Sequence, residues 1–361
     1  MMSPELKAVS REFDLAPNGP VKSALAKKAY MLADKEHNLG KSVWFRYKYI
    51  EQEDFYGDPL QLVLVYPELL KLHDEYVKTV SDSYTFYVYW SYKWLLQNAK
   101  GFYQISQKQF DAFAEDYKRR LTESGYSLRT LYLISAGFYS YIDQERAETY
   151  YKNFLRCGRD RLSDCAACER SNEMAYLIMT GRFDEAVRLG QEIFDNKLTC
   201  VEQPYEASGV LLDAYVNMML SGDDSVMEKC ARHIDNIAKG LKKGVVLSRV
   251  SHIILYYALT GETTKALSYF KKYSLAVHKQ HSPGVQFELD IACAKLFKTI
   301  NKKSYRFKLT PEHPVYKESG VYNCEELSSF YLNDAMFIAG KYDARNGTDI
   351  HMKRISLVME G

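Results

Sequence analysis

A chain of 361 residues exceeds the size at which one hydrophobic core keeps growing, so it must form either two or three globular units or one elongated repeat array. Its 48 basic and 46 acidic residues leave a net charge of +2 with both signs interspersed, a balance that gives no sustained field for a polyanion and argues against a nucleic-acid partner. The seven cysteines, an odd number, fit reduced thiols better than a disulfide framework.

The N-terminal stretch MMSPELKAVSREFDLAPNGP has no apolar signal core, and no window further on is apolar enough to span a bilayer. The expectation is a cytoplasmic protein without a membrane partner, with residues 1–21 as an N-terminal extension. From residue 22 onward apolar positions recur at helical spacing, and no run alternates with period two between turn signals, so the fold class is all-α. Even YTFYVYWSYKWLL, Tyr84 to Leu96, reads as a helix buried on most of its circumference, because it is too long for a strand and continues without a break.

Interruptions fall at Gly57, near Asp143, and at Gly181, Gly222, Gly261 and Gly340. Steps of roughly 40 residues correspond to a helix, a tight turn, a second helix and a connector, and each such hairpin must stack on its neighbours to bury its apolar face. TGRFDEA carries Gly181, Phe183 and Ala186, and TGETTKA carries Gly261 and Ala266. This resembles the middle of a tetratricopeptide repeat, with glycine at the turn, an aromatic two residues on, and a small alanine where the two helices cross. RDRLSDCAAC, CVEQP and YDARNGTD are together similar to an uncharacterised group of bacterial proteins of this kind. The resemblance implies a right-handed superhelical stack of helical hairpins, an α-solenoid, over residues 22–300, carried mainly by 165–280.

Beyond the array, NKKSYRFKLTPEHPVYKESGVYN predicts an irregular connection of about 20 residues, since connections of that length without structure are uncommon unless they have a role. A helix from Cys324 to Gly340 follows, so that 301–361 forms a connection and a C-terminal cap.

No phosphate-binding loop, dinucleotide fingerprint, nucleophile elbow or HExxH pair is present. The expectation is a non-enzymatic scaffold or adaptor that binds a protein or peptide. The alternative is a regulator or enzyme subunit with its site in the C-terminal segment, near His313, Asp343 and Arg345. A peptide sensor controlling transcription is disfavoured, because no helix-turn-helix pattern precedes the array. Trp44, Tyr47, Tyr87, Trp90 and Trp94 could line a concave peptide-binding surface or simply pack between helices, with Arg46 and Lys48 beside them on a solvated face. His252, on an otherwise apolar helix, reads either as a ligand contact or as a core histidine bonded to a backbone carbonyl. Asp343, Arg345 and Asn346 crowd an Asn-Gly turn that ends a helix and could also serve as a binding loop.

CGRDRLSDCAAC places three cysteines in twelve residues. In an antiparallel hairpin Cys157 ends one second helix, Cys165 and Cys168 open the next first helix behind an Asp164 N-cap, and Cys200 closes that hairpin. All four then fall on one edge of the stack. Packed, reduced thiols without a cofactor are the leading reading, with a structural zinc and a redox pair as alternatives.

Overall fold

Helical spacing in the sequence becomes helix along most of the chain. The computed structural model describes residues 2–360, and among them are 17 α-helices and one pair of short strands. These residues form two compact units, one of 2–134, 157–162 and 279–282, the other of 135–156, 163–278 and 283–360.

The first unit holds α1 (Pro4–Leu15), α2 (Pro20–Lys35), α3 (Leu39–Tyr56), α4 (Pro59–Thr79), α5 (Thr85–Ala99), α6 (Gln107–Glu123) and the start of α7 (Arg129–Tyr139). Proline opens α1, α2 and α4, where its missing N–H costs no hydrogen bond. Ser3, Asn38, Asp58 and Ser106 accept from the first-turn amides of α1, α3, α4 and α6. The residues expected to be an N-terminal extension are packed into this unit. Leu6, Val9 and Phe13 of α1 are buried against Ala26, Ala29 and Ala33 of α2 and against Phe45 and Tyr49 of α3. Arg46 is not on a solvated face. Only 7% exposed, it grips Asp34 with both terminal nitrogens, at 2.7 and 2.6 Å, and lies 4.5 Å from the Tyr30 ring centroid.

The second unit continues α7 and adds α8 (Gln144–Arg156), α9 (Ala166–Met179), α10 (Phe183–Phe194), α11 (Tyr205–Leu220), α12 (Met227–Lys242), α13 (Val250–Leu259), α14 (Thr263–His278) and α15 (Pro283–Thr299). The turns between α9 and α10, α11 and α12, and α13 and α14 each carry a glycine at positive φ: Gly181 at 79°, Gly222 at 93° and Gly261 at 74°. These are the breaks expected from the sequence, and the left-handed backbone explains why glycine stands there. Packing runs from neighbour to neighbour: α9 on α10 and α11, α11 on α12 and α13, α13 on α14 and α15. This is consistent with a helical solenoid. Ala186 and Ala266 are fully buried.

The C-terminal region is more ordered than an irregular connection. β1 (Ser304–Arg306) pairs antiparallel with β2 (Val321–Asn323), with Tyr305 opposite Tyr322, and the Phe307 and Tyr322 rings stack at 4.3 Å. α16 (Cys324–Asn346) then runs straight through Gly340, where a break was expected, because it lies along α15 in the most extensive helix pair of the chain. It ends at Gly347, at φ 69°, as the Asn-Gly turn predicts, and α17 (Ile350–Glu360) follows. The expected array boundary at 300/301 therefore separates two helices that pack closely together.

Candidate functional site

Four of the five aromatic candidates meet between α3 and α5 in the first unit. The Trp44 ring lies 5.7 Å from Tyr47 and 5.4 Å from Tyr87, Tyr87 lies 5.4 Å from Tyr47, and Tyr47 stacks on Trp94 at 6.2 Å. Trp90 packs instead on Phe86 at 5.7 Å, with the Lys93 ammonium 3.1 Å from its centroid. Tyr47 and Trp94 are buried, and Tyr87 is the exposed rim of the group. Burial, with the Glu51 carboxylate that accepts its hydroxyl at 2.9 Å, pushes the Tyr47 phenol well above its ordinary value.

Next to this group, α4, α5, α6 and the 157–162 segment frame an open cleft of about 800 Å³. One wall is built from paired charges. Arg120 holds Asp74 at 2.5 and 2.8 Å and Asp116 at 2.7 Å, and Arg119 bridges Asp116 and Glu123 at 2.7 and 2.9 Å. The Arg120 hydrogen bonds keep the Asp74 carboxyl below its usual range, and burial keeps the His73 imidazole below its own. The other wall differs. Arg161 is exposed, donates through Nε to the Tyr126 hydroxyl at 3.0 Å and sits 5.0 Å from the Phe86 ring. No carboxylate pairs with Arg161 among the described residues. The cleft was not legible in the sequence, since Asp74 and Arg120 are brought together across 46 residues by the fold alone.

In the second unit His252 is buried, but against a carboxylate rather than a backbone carbonyl. Its Nδ1 is 3.4 Å from Asp213 Oδ1, and Asp213, His252 and Glu288 offer ligand atoms within 4.8 Å of one another. Arg354 of α17 occupies this cluster. It lies 3.3 Å from Asp213 and 3.5 Å from Glu288, and also donates to the Asn217 side chain, while Arg249 pairs with Glu206 at 2.9 Å. Burial lowers the His252 pKa despite Asp213. Burial works to raise Asp213, yet the charges of His252, Arg354 and Arg249 outweigh it and hold that carboxyl low. The group is an ion-pair network that keys α17 onto α11, α13 and α15, with both carboxylates already satisfied by arginine.

Three of the four cysteine candidates converge. Cys165, not Asp164, is the N-cap of α9, and its sulfur accepts the Cys168 amide at 3.4 Å. Cys200, from the connection between α10 and α11, brings its Sγ to 3.4 Å from that of Cys168, and Glu202 sets a carboxylate oxygen 3.7 Å from the same sulfur. Cys157 is not part of this group. It belongs to the first unit, where its carbonyl accepts from Arg129 at 2.7 Å.

The C-terminal candidates do not converge on a pocket. His313 is buried beside Phe270 and His278. Its Nδ1 accepts the Val315 amide at 3.3 Å, so Nε2 is left to donate to Ser274 Oγ at 2.9 Å, and burial pushes its pKa down to about 4. That aromatic cluster reaches Tyr331 on α16, about a dozen positions before Asp343 and on the order of 18 Å away along the helix. Asp343 and Asn346 are buried rather than on an exposed loop. Asp343 accepts the His351 and Met352 amides that open α17, each at 3.0 Å, and His351 Nδ1 at 2.9 Å. Asn346 takes Arg345 Nε at 2.8 Å, and the Arg345 guanidinium lies over Tyr342 and Phe138.

No helix among the described residues is long and apolar enough to cross a membrane. No protein-family model, curated protein or solved structure matches the chain, so the reading of its surfaces rests on its own residues.

Proposed function

We propose that this chain is a non-enzymatic scaffold of stacked helical hairpins, of tetratricopeptide-like type, that binds a protein or peptide partner, and that the cleft framed by α4, α5 and α6 receives an acidic segment of that partner. The observation that carries this reading is Arg161. It lines an open cleft of about 800 Å³, among the described residues its charge is met only by the Tyr126 hydroxyl and two aromatic rings, and the opposite wall holds Asp74, Arg119, Arg120 and Glu123 in ion pairs. A carboxylate entering there gains a charge-assisted hydrogen bond, and Phe86 beside it offers apolar contact. The near-neutral net charge favours such a local match over long-range capture of a nucleic acid. Seven cysteines without a disulfide fit a reducing, cytoplasmic setting.

The enzyme-subunit reading has less support. His313 faces a serine and two rings in the core, Asp343 and Asn346 are engaged in seating α17, and the carboxylates beside His252 are engaged by Arg354.

The test is capture of partners from host extract with the wild-type chain and with Arg161→Glu side by side, read by mass spectrometry. A partner held by the wild type and lost by the variant supports the reading. A partner set unchanged by the charge reversal contradicts it.

A further inference from the structure

The geometry points to a structural zinc site formed by Cys165, Cys168 and Cys200 and completed by Glu202. It is independent of the cleft and of the partner proposed there.

Two segments of the second unit supply the donors. Cys165 caps α9 and Cys168 stands in its first turn, so the two-residue spacing puts both sulfurs at one helix end. Cys200 and Glu202 come from the connection between α10 and α11, 32 and 34 residues from Cys168. The three sulfurs lie within 4.8 Å of one another. The Cys168–Cys200 separation of 3.4 Å is far longer than the ~2.05 Å of a disulfide. It is close to the ~3.8 Å edge of a sulfur tetrahedron around a zinc ion with Zn–S bonds of ~2.3 Å. The fourth corner falls to Glu202, whose carboxylate oxygen is already 3.7 Å from the central sulfur.

The surroundings suit a ligand role as well. The Cys168 amide points at the Cys165 sulfur, a backbone hydrogen bond of the kind that orients a metal-bound thiolate and supports its charge. Three thiolates select a soft or borderline ion, and the mixed sulfur and oxygen set in a tetrahedral frame suits zinc, with no place for the many oxygens calcium or magnesium require. Zn²⁺ displaces the three thiol protons to solvent as the Zn–S bonds form, with no change of oxidation state. Exposed Cys165 gives the ion a way in. Once bound, it ties the start of α9 to the 195–204 connection after α10, a stretch without helix, and so closes the α9–α10 hairpin.

The test is the metal content of untagged full-length protein, grown with added zinc and purified in reductant without chelator. The expected result is about one zinc per chain, falling below about a tenth in Cys168→Ser and Cys200→Ser, with Cys157→Ser keeping its full content. Glu202→Gln should release its zinc to a chelator at least tenfold faster than wild type. Because a serine variant can fail to fold, the wild-type chain reconstituted with Co²⁺ gives a separate readout, thiolate-to-cobalt charge transfer in the near ultraviolet with tetrahedral bands in the visible. Wild-type protein that takes up less than about a tenth of an equivalent of zinc, a cobalt spectrum without the charge-transfer band, or loss of metal in Cys157→Ser overturns the site.

Discussion

Arg354, on the last helix, lies 3.3 Å from Asp213 of α11, a residue 141 positions earlier in the chain. The same guanidinium is 3.5 Å from Glu288 of α15, so one side chain fixes α17 to two helices at once. Arg354→Ala leaves Asp213 and Glu288 beside His252 with their direct ion-pair partner gone and only the Arg249 charge nearby. The expected loss is about 2–3 kcal/mol of stability, with faster amide exchange confined to 350–360. Thermal melts with hydrogen exchange check this, and a variant as stable as wild type with unchanged exchange would show that α17 is held by packing alone.

Asp290 makes stability depend on pH in the direction opposite to most carboxylates. It is fully buried on α15, Gln286 donates to its Oδ1 at 2.5 Å, and its Oδ2 has no partner among the described residues. Burial pushes the carboxyl up to about 8, and nearby Asp334 adds to the shift. In the unfolded chain the same group titrates near ~4. Between those values the folded state holds a proton that the unfolded state has released. This group's contribution is therefore greatest below pH ~4 and declines toward pH ~8 by up to ~1.4 kcal/mol per unit. Asp290→Asn removes the titration. Its melting temperature relative to wild type should rise steadily from pH 5 to pH 8, and a difference that is flat or falls with pH would contradict the assignment.

Two helical glycines separate a tight helix contact from a forgiving one. A Cβ on Gly240 of α12 would lie 2.8 Å from Tyr205 Cβ, an atom that side-chain rotation does not move, and 2.7 Å from Val246 Cγ2, so α11 and α12 must part. A Cβ on Gly190 would meet chiefly the terminal methyl of Met174, at 2.6 Å, on a flexible side chain that can move. Gly240→Ala is expected to cost about 1–3 kcal/mol by overpacking. Gly190→Ala should be close to neutral, since the gain of ~1 kcal/mol in helix propensity offsets the repacking. Urea melts of the two variants give the order, and the reverse order would mean that the α11–α12 contact is looser than described.

The hairpins were legible because their turns carry a local chemical requirement: Gly181, Gly222 and Gly261 occupy backbone conformations other residues avoid. Gly340 misled for the complementary reason. A glycine within a helix is tolerated when packing holds the helix, and α16 is held along α15. Contacts between helices left no trace in local spacing. Arg46 on α3 meets Asp34 on α2, and His252 is gathered with Asp213, Glu288 and Arg354, each from a different helix, so no spacing along one helix encodes these pairs. Cys200 lies in the connection after α10 rather than in the helix, yet it reaches Cys168 because a hairpin returns its chain to the edge where it began. Cys157 does not join them, because the segment after α8 belongs to the other unit and carries its thiol with it. The Arg161 cleft drew on residues from four separate segments, and although YTFYVYWSYKWLL and CGRDRLSDCAAC both stand out in the sequence, nothing in either points to the other.

Selection from a library of short randomised peptides on the immobilised wild-type chain, with Arg161→Glu selected in parallel, tests the cleft most directly. The expected result is enrichment of sequences rich in Asp and Glu on the wild type, weakened by added salt and at least tenfold lower on Arg161→Glu. No enrichment, or enriched peptides that are neutral or basic or are held equally by the Arg161→Glu chain, would contradict the assignment of this cleft as the site of partner recognition.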